Sequence, residues 1–183
     1  NRIRDGRFSW DGNSYRLPSG VAPDDGQGNA IHGFCLDRPW RVISQDPGHV
    51  TGEFHLSRDA ADRRPLWPTD ARITITYSIE GNRLLADVIV DNPDTRPLPF
   101  GLGTHPYFRL PLGPGGDALD CTVHVPAHRQ WELDACLPSG RLLEIDPSCD
   151  LRHGGRFGNM QLDHVLTSIG DDHNRPLDIL EMS

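Results

Sequence analysis

The chain has 183 residues, 36% of them hydrophobic and 19 of them glycine, a mix that supports a packed core. All 18 basic residues are arginine and 26 are acidic, so the net charge is −8, which argues against a nucleic-acid surface or an anionic membrane as partner. Lysine does not occur, which excludes a Schiff-base lysine and a P-loop lysine.

In chain order, two short runs, 7–10 and 13–17, flank Asp11-Gly12, a strong signal for a tight hairpin turn. Residues 18–30 are rich in Pro, Gly, Asp and Asn and read as a loop. Residues 50–57 alternate as a strand, with Val50, Phe54 and Leu56 on one face. Residues 58–70 are charged, carry Pro65 and Pro68, and read as a surface loop. The clearest strands follow. Ile73, Ile75, Tyr77 and Ile79 alternate with polar residues, Gly81-Asn82 turns the chain, and Leu84, Ala86, Val88 and Val90 alternate in return. That pattern predicts an antiparallel hairpin with one covered face. Leu119, Cys121, Val123 and Val125 alternate again. Residues 131–134 and 141–145 lie either side of an expected turn at Leu137-Pro-Ser-Gly140, and 164–169 reads as a last strand. No sustained helical period occurs, and frequent short strands with turns between them indicate an antiparallel sandwich or barrel.

Cys35, Cys121, Cys136 and Cys149 are widely spaced, with no C-x-x-C, and read as buried free thiols in a reducing compartment. No run approaches a membrane span and no leader pattern is present, so the expected location is cytoplasmic. The chain starts without Met, inside a motif, and reads as a fragment.

The stretch Phe100-Gly-Leu-Gly-Thr-His-Pro-Tyr-Phe-Arg-Leu110 concentrates the chemistry. Gly101 and Gly103 are expected to take unusual backbone angles. Thr104–Leu110 reads as a strand that aligns His105, Tyr107 and Arg109 on one face and turns Phe108 and Leu110 to a core.

GLGTHPYFRL resembles the motif around the catalytic histidine of the aldose 1-epimerase (galactose mutarotase) family. Asn1-Arg2-Ile3 with Asp5-Gly-Arg-Phe8 resembles that family's NRI segment and the hairpin after it. Ile31-His32-Gly33 resembles its HG motif, and Leu162-Asp163-His164 its DH motif. Four motifs in the family's order are more specific than any one alone.

The resemblance implies an all-β fold: the family's large antiparallel β-sandwich, the galactose mutarotase-like supersandwich. Residues 1–183 would form a single partial domain, incomplete at its C-terminal side. It implies interconversion of the α and β anomers of an aldohexose by general acid–base catalysis, with a small-molecule hexose as partner and with no cofactor and no metal. By resemblance His105 is the general acid. His32 binds the sugar near its ring oxygen, Arg2 and Asp163 bind sugar hydroxyls, Tyr107 and Asn1 are pocket neighbours, and together they line one pocket. The family's base is a glutamate in a segment beyond the DH motif. Glu181 does not match that motif, so the 183 residues alone are expected to be inactive. Trp10, Trp40, Trp67 and Trp131 suit either sugar stacking or core packing. Two rival readings stand beside this one. A hexose-6-phosphate 1-epimerase would gather arginines such as Arg38, Arg41, Arg63 and Arg64 over a phosphate. A non-catalytic carbohydrate-binding protein would use the same pocket without turnover.

Overall fold

The computed structural model describes residues 2–18, 24–111 and 115–170. Every strand pairing among these residues is antiparallel. The single α-helix among the described residues is one turn long. The chain divides into two compact units, with the break between Thr104 and His105.

The first unit opens with β1 (Arg2–Ile3), followed by the hairpin β2 (Arg7–Trp10) and β3 (Asn13–Arg16). Asp11 and Gly12 both have positive φ, 48° and 73°, as a type I′ turn requires. One face of this hairpin buries an aromatic pair: Phe8 and Tyr15 stack with ring centroids 5.1 Å apart, and Phe8 packs on Trp67 at 4.7 Å. The short β4 (Ala30–Ile31) pairs with β1, setting Arg2 opposite Ile31.

A four-stranded meander follows, ordered β5 (Arg41–Asp46), β6 (His49–His55), β7 (Arg72–Glu80), β8 (Arg83–Asp91). The 72–91 hairpin has the expected register, with Glu80 opposite Arg83 and Arg72 opposite Asp91. Gly81 takes φ 64°, the left-handed first turn position that glycine tolerates. The apolar face is covered unevenly. Phe54 is buried and Ile73 and Ile75 are half-buried, whereas Ile79 and Leu84, nearest the turn, are exposed.

Residues 58–70 are not the surface loop that their charge and prolines predict. The strand ending at His55 passes directly into α1 (Leu56–Asp59), and the segment packs inward. Ala60, Thr69 and the Arg63 side chain are buried, Arg63 to 4% exposure. Arg63 reaches that depth because Asp37 takes its guanidinium by two bonds, at 2.5 and 2.7 Å, while the Phe34 carbonyl takes a third. Asp59 accepts from the His55 backbone N–H at 2.7 Å and from Arg41, which also donates to Glu53. Except for Arg58, the charges that suggested solvent are consumed in ion pairs.

The second unit contains β9 (Thr122–Val123), β10 (Ala127–Asp134), β11 (Leu137–Glu144), β12 (Gly155–Arg156) and β13 (Val165–Ile169). Strand β10 is central, flanked by β11 and β13, and β12 pairs with β9. The alternation over 119–125 yields only two strand residues, because Ala118–Asp120 forms a 3-10 turn whose entry Asp117 caps. The expected turn at 137–140 lies earlier. Ala135 and Cys136 take φ 48° and 62°, and Leu137 is already the buried first residue of β11. Cys149 is fully buried, but Cys136 is exposed and Cys35 and Cys121 are half-buried, so the thiols are not uniformly core residues. All four are free. Among the described residues no helix is long and apolar enough to cross a membrane.

Candidate active site

In the first unit, β1 and β4 bring the NRI-like and HG-like segments together. The pairing of Arg2 with Ile31 sets Arg2 beside His32, and both line a cavity of about 390 Å³. The rest of the lining is largely apolar, including Phe34, Cys35, Trp67 and Phe100. Burial raises the Cys35 thiol above its usual pKa range.

Arg2 is held from behind. Its Nε donates to Asp25 at 3.1 Å, and Asp25 also accepts from the Asn29 side chain at 2.9 Å and from the backbone N–H groups of Gln27 and Asn29. These bonds, the Asn29 side chain foremost, draw the Asp25 carboxyl from 3.8 down to about 2. With Nε engaged, the two terminal guanidinium nitrogens have no protein partner among the described residues and remain as donors. His32 has φ 66° and Gly33 φ 65°. A non-glycine residue in that region costs roughly 1–3 kcal/mol, so the surrounding structure holds His32 there.

The far wall of the cavity, Leu98–Gly103, and the two residues leading into it are tied down by three side-chain donors. Trp10 Nε1 bonds the Pro97 carbonyl at 3.2 Å, Trp67 Nε1 bonds the Pro99 carbonyl at 3.0 Å, and the Arg96 guanidinium bonds the Pro68 carbonyl. Of the four tryptophans, Trp67 lines the cavity, while Trp40 packs on Phe54 and Trp131 is part of β10.

The stretch 101–109 is not a strand. It makes no ladder and all nine residues are exposed, Phe108 included; neither Gly101 nor Gly103 has a positive φ. Pro106 has no N–H to offer a ladder, which is the local reason. The neighbour relation that alternation predicts nevertheless holds. In the second unit the His105 and Tyr107 rings lie 4.9 Å apart at 33°, and Tyr107 is 89% exposed. Asp163 is exposed in the irregular segment before β13 and makes no hydrogen bond or ion pair among the described residues. Asn1 lies outside the described residues. Sequence reasoning missed Phe34, Leu98 and Pro99, which carry no polar signature, and singled out Phe100–Gly103 only as the approach to His105, not as cavity lining.

The arginines proposed for a phosphate are all engaged. Arg38 bonds Asp62, Arg41 bonds Glu53 and Asp59, Arg63 bonds Asp37, and Arg64 bonds Asp94. No three His, Cys, Asp or Glu side chains among the described residues cluster as a metal site would need.

Residues 1–178 match the family model described as aldose 1-epimerase. The chain is 28% identical over 177 residues to the galactose mutarotase of Rattus norvegicus and 27% identical to that of Sus scrofa, in each case spanning 95% of this chain and 48% of the relative. It therefore spans about half the length of these curated relatives. Its fold is that of a galactose mutarotase-like protein from Clostridium acetobutylicum, with a TM-score of 0.69 at 24% identity over 81% of this chain and 44% of that one. The chain belongs to the aldose 1-epimerase family.

Proposed function

We propose that the full-length protein interconverts the α and β anomers of an aldohexose. The observation that carries this reading is the family match over residues 1–178, in a chain whose NRI-like and HG-like segments meet at one cavity. In the reaction a base removes the O1 proton while an acid protonates the ring oxygen. The C1–O5 bond breaks as the C1 carbonyl forms, the C1–C2 bond rotates, and the ring closes on the other carbonyl face. Protons and electrons balance without an external reductant or oxidant.

His105 is the acid, since an imidazole titrates close to neutral pH and can lend and recover a proton. Arg2 and His32 hold sugar hydroxyls, with Asp25 keeping Arg2 in place. Asp163, Tyr107 and Asn1 add further sugar contacts. The base is a carboxylate, by family resemblance a glutamate beyond Asp163. A sugar-phosphate substrate is disfavoured, because Arg38, Arg41, Arg63 and Arg64 already satisfy carboxylates. Polarimetry of freshly dissolved α-glucose and α-galactose tests the reading. Acceleration over buffer supports it, and binding of either sugar without acceleration would assign the pocket to a non-catalytic role.

A further inference from the structure

The solvent face of the β2–β3 hairpin carries a cluster that the sugar chemistry does not use. Trp10 and Asn13 flank the two-residue turn and therefore form a hydrogen-bonded pair. Counting back, Ser9–Ser14 is a non-hydrogen-bonded pair, Phe8–Tyr15 a bonded one, and Arg7–Arg16 non-hydrogen-bonded again. The bond from the Leu17 N–H to the Gly6 carbonyl, 2.7 Å, confirms that phase one step further on. Non-hydrogen-bonded partners bring their side chains closest.

Two arginines thus occupy directly opposite positions, with two serines two rungs away on the same face. All four residues are exposed. They line, with the rung between them, a shallow concavity of about 510 Å³. Like charges directly opposite on a sheet are destabilising. Neither Arg7 nor Arg16 has a carboxylate partner among the described residues, and unlike the other arginines without one there, Arg4, Arg58, Arg83 and Arg109, they are paired with each other across a ladder. In a chain of net charge −8, an uncompensated arginine pair is an anion receptor in waiting.

We propose that this face binds a phosphate group, free or as a small phosphate monoester, at a site separate from the cavity lined by Arg2 and His32. Two guanidinium forks match the geometry of a tetrahedral oxyanion, and the Ser9 and Ser14 hydroxyls donate to its remaining oxygens. The bound dianion also removes the Arg7–Arg16 repulsion, so binding stabilises the hairpin.

The test titrates inorganic phosphate, and separately methyl phosphate, into the protein at fixed ionic strength, reading the arginine Nε–Hε NMR resonances and the thermal midpoint. Saturable shifts at Arg7 and Arg16 with a rise in Tm are expected. Stronger binding of methyl phosphate identifies a monoester as the ligand; equal or weaker binding identifies free phosphate. Arg7→Ala and Arg16→Ala each weaken binding about tenfold, the loss expected for one charge-assisted contact. Both variants should be at least as stable as the parent without phosphate, so misfolding does not confuse the result. Arg83→Gln, at the β7–β8 turn, leaves binding unchanged. An absence of saturable shifts, undiminished binding in the Arg7→Ala/Arg16→Ala double variant, or equal weakening by Arg83→Gln overturns the proposal.

Discussion

Arg2 and His105 stand in different relations to the proposed reaction, and kinetics separates them. A residue that binds ground state and transition state alike affects KM, whereas a proton donor affects kcat. Arg2 is fixed by Asp25 through its Nε and lines the cavity. Arg2→Ala should raise KM about tenfold to a hundredfold, the range for a lost hydrogen bond to a charged group, with kcat little changed. His105→Asn should instead lower kcat by about 10²–10⁴ with a small change in KM. Steady-state polarimetry of both variants distinguishes the roles. A reversed pattern would make His105 a binding residue.

At the scale of elements, two positions carry testable strain. Gly6 has φ 60°, and a Cβ there would lie 2.5 Å from the carbonyl oxygen of Leu17, the residue whose N–H closes the β2–β3 hairpin on the Gly6 carbonyl. Gly6→Ala should therefore destabilise the protein by more than the roughly 1–2 kcal/mol charged for the left-handed region alone. At the β10–β11 turn the reverse holds, because Ala135 and Cys136 occupy type I′ positions without a residue suited to them. Ala135→Asn with Cys136→Gly, the favoured pair for that turn, should raise Tm, measurable by calorimetry.

The same elements show what was legible in the sequence. Asp11-Gly12 and the 72–91 alternation announced their hairpins because turn chemistry and face burial agree there. Ala135-Cys136 gave no turn signal, while Pro138 and Gly140 gave a false one; Gly140, with φ 92°, instead follows the register shift between Trp131 and Leu133. Residues 58–70 looked solvated because the carboxylate partners of their arginines, Asp37 and Asp94, lie far away in sequence. His105 and Tyr107 were correctly read as neighbours, but tertiary context and Pro106 left their segment without a ladder. Arg2 and His32 were legible only as motif positions, and of the apolar cavity wall only Phe100–Gly103 stood out, as part of the motif around His105.

At the scale of the whole molecule, acid should weaken residues 1–104 over a defined window. Asp25 and Asp37 both have folded pKa values near 2, held down chiefly by the Asn29 side chain and by the Arg63 guanidinium respectively. A carboxyl depressed on folding contributes stability that is complete above its ordinary value of 3.8 and lost as pH falls through about 2. Near-ultraviolet circular dichroism should therefore show tertiary structure weakening across that window. Asp37→Asn should move the loss to higher pH, by leaving the buried Arg63 without its counter-charge. An acid profile identical in that variant would mean that the Arg63–Asp37 pair contributes nothing to stability.

The most direct test of the central claim is exchange NMR at the anomeric protons of glucose and galactose, with the full-length protein and its His105→Asn variant side by side. Exchange cross-peaks between the α and β protons should appear with the parent protein well above the buffer rate. They should fall by about 10²–10⁴ in the variant while sugar binding persists. Exchange no faster than buffer in the parent, or undiminished exchange in His105→Asn, would contradict it.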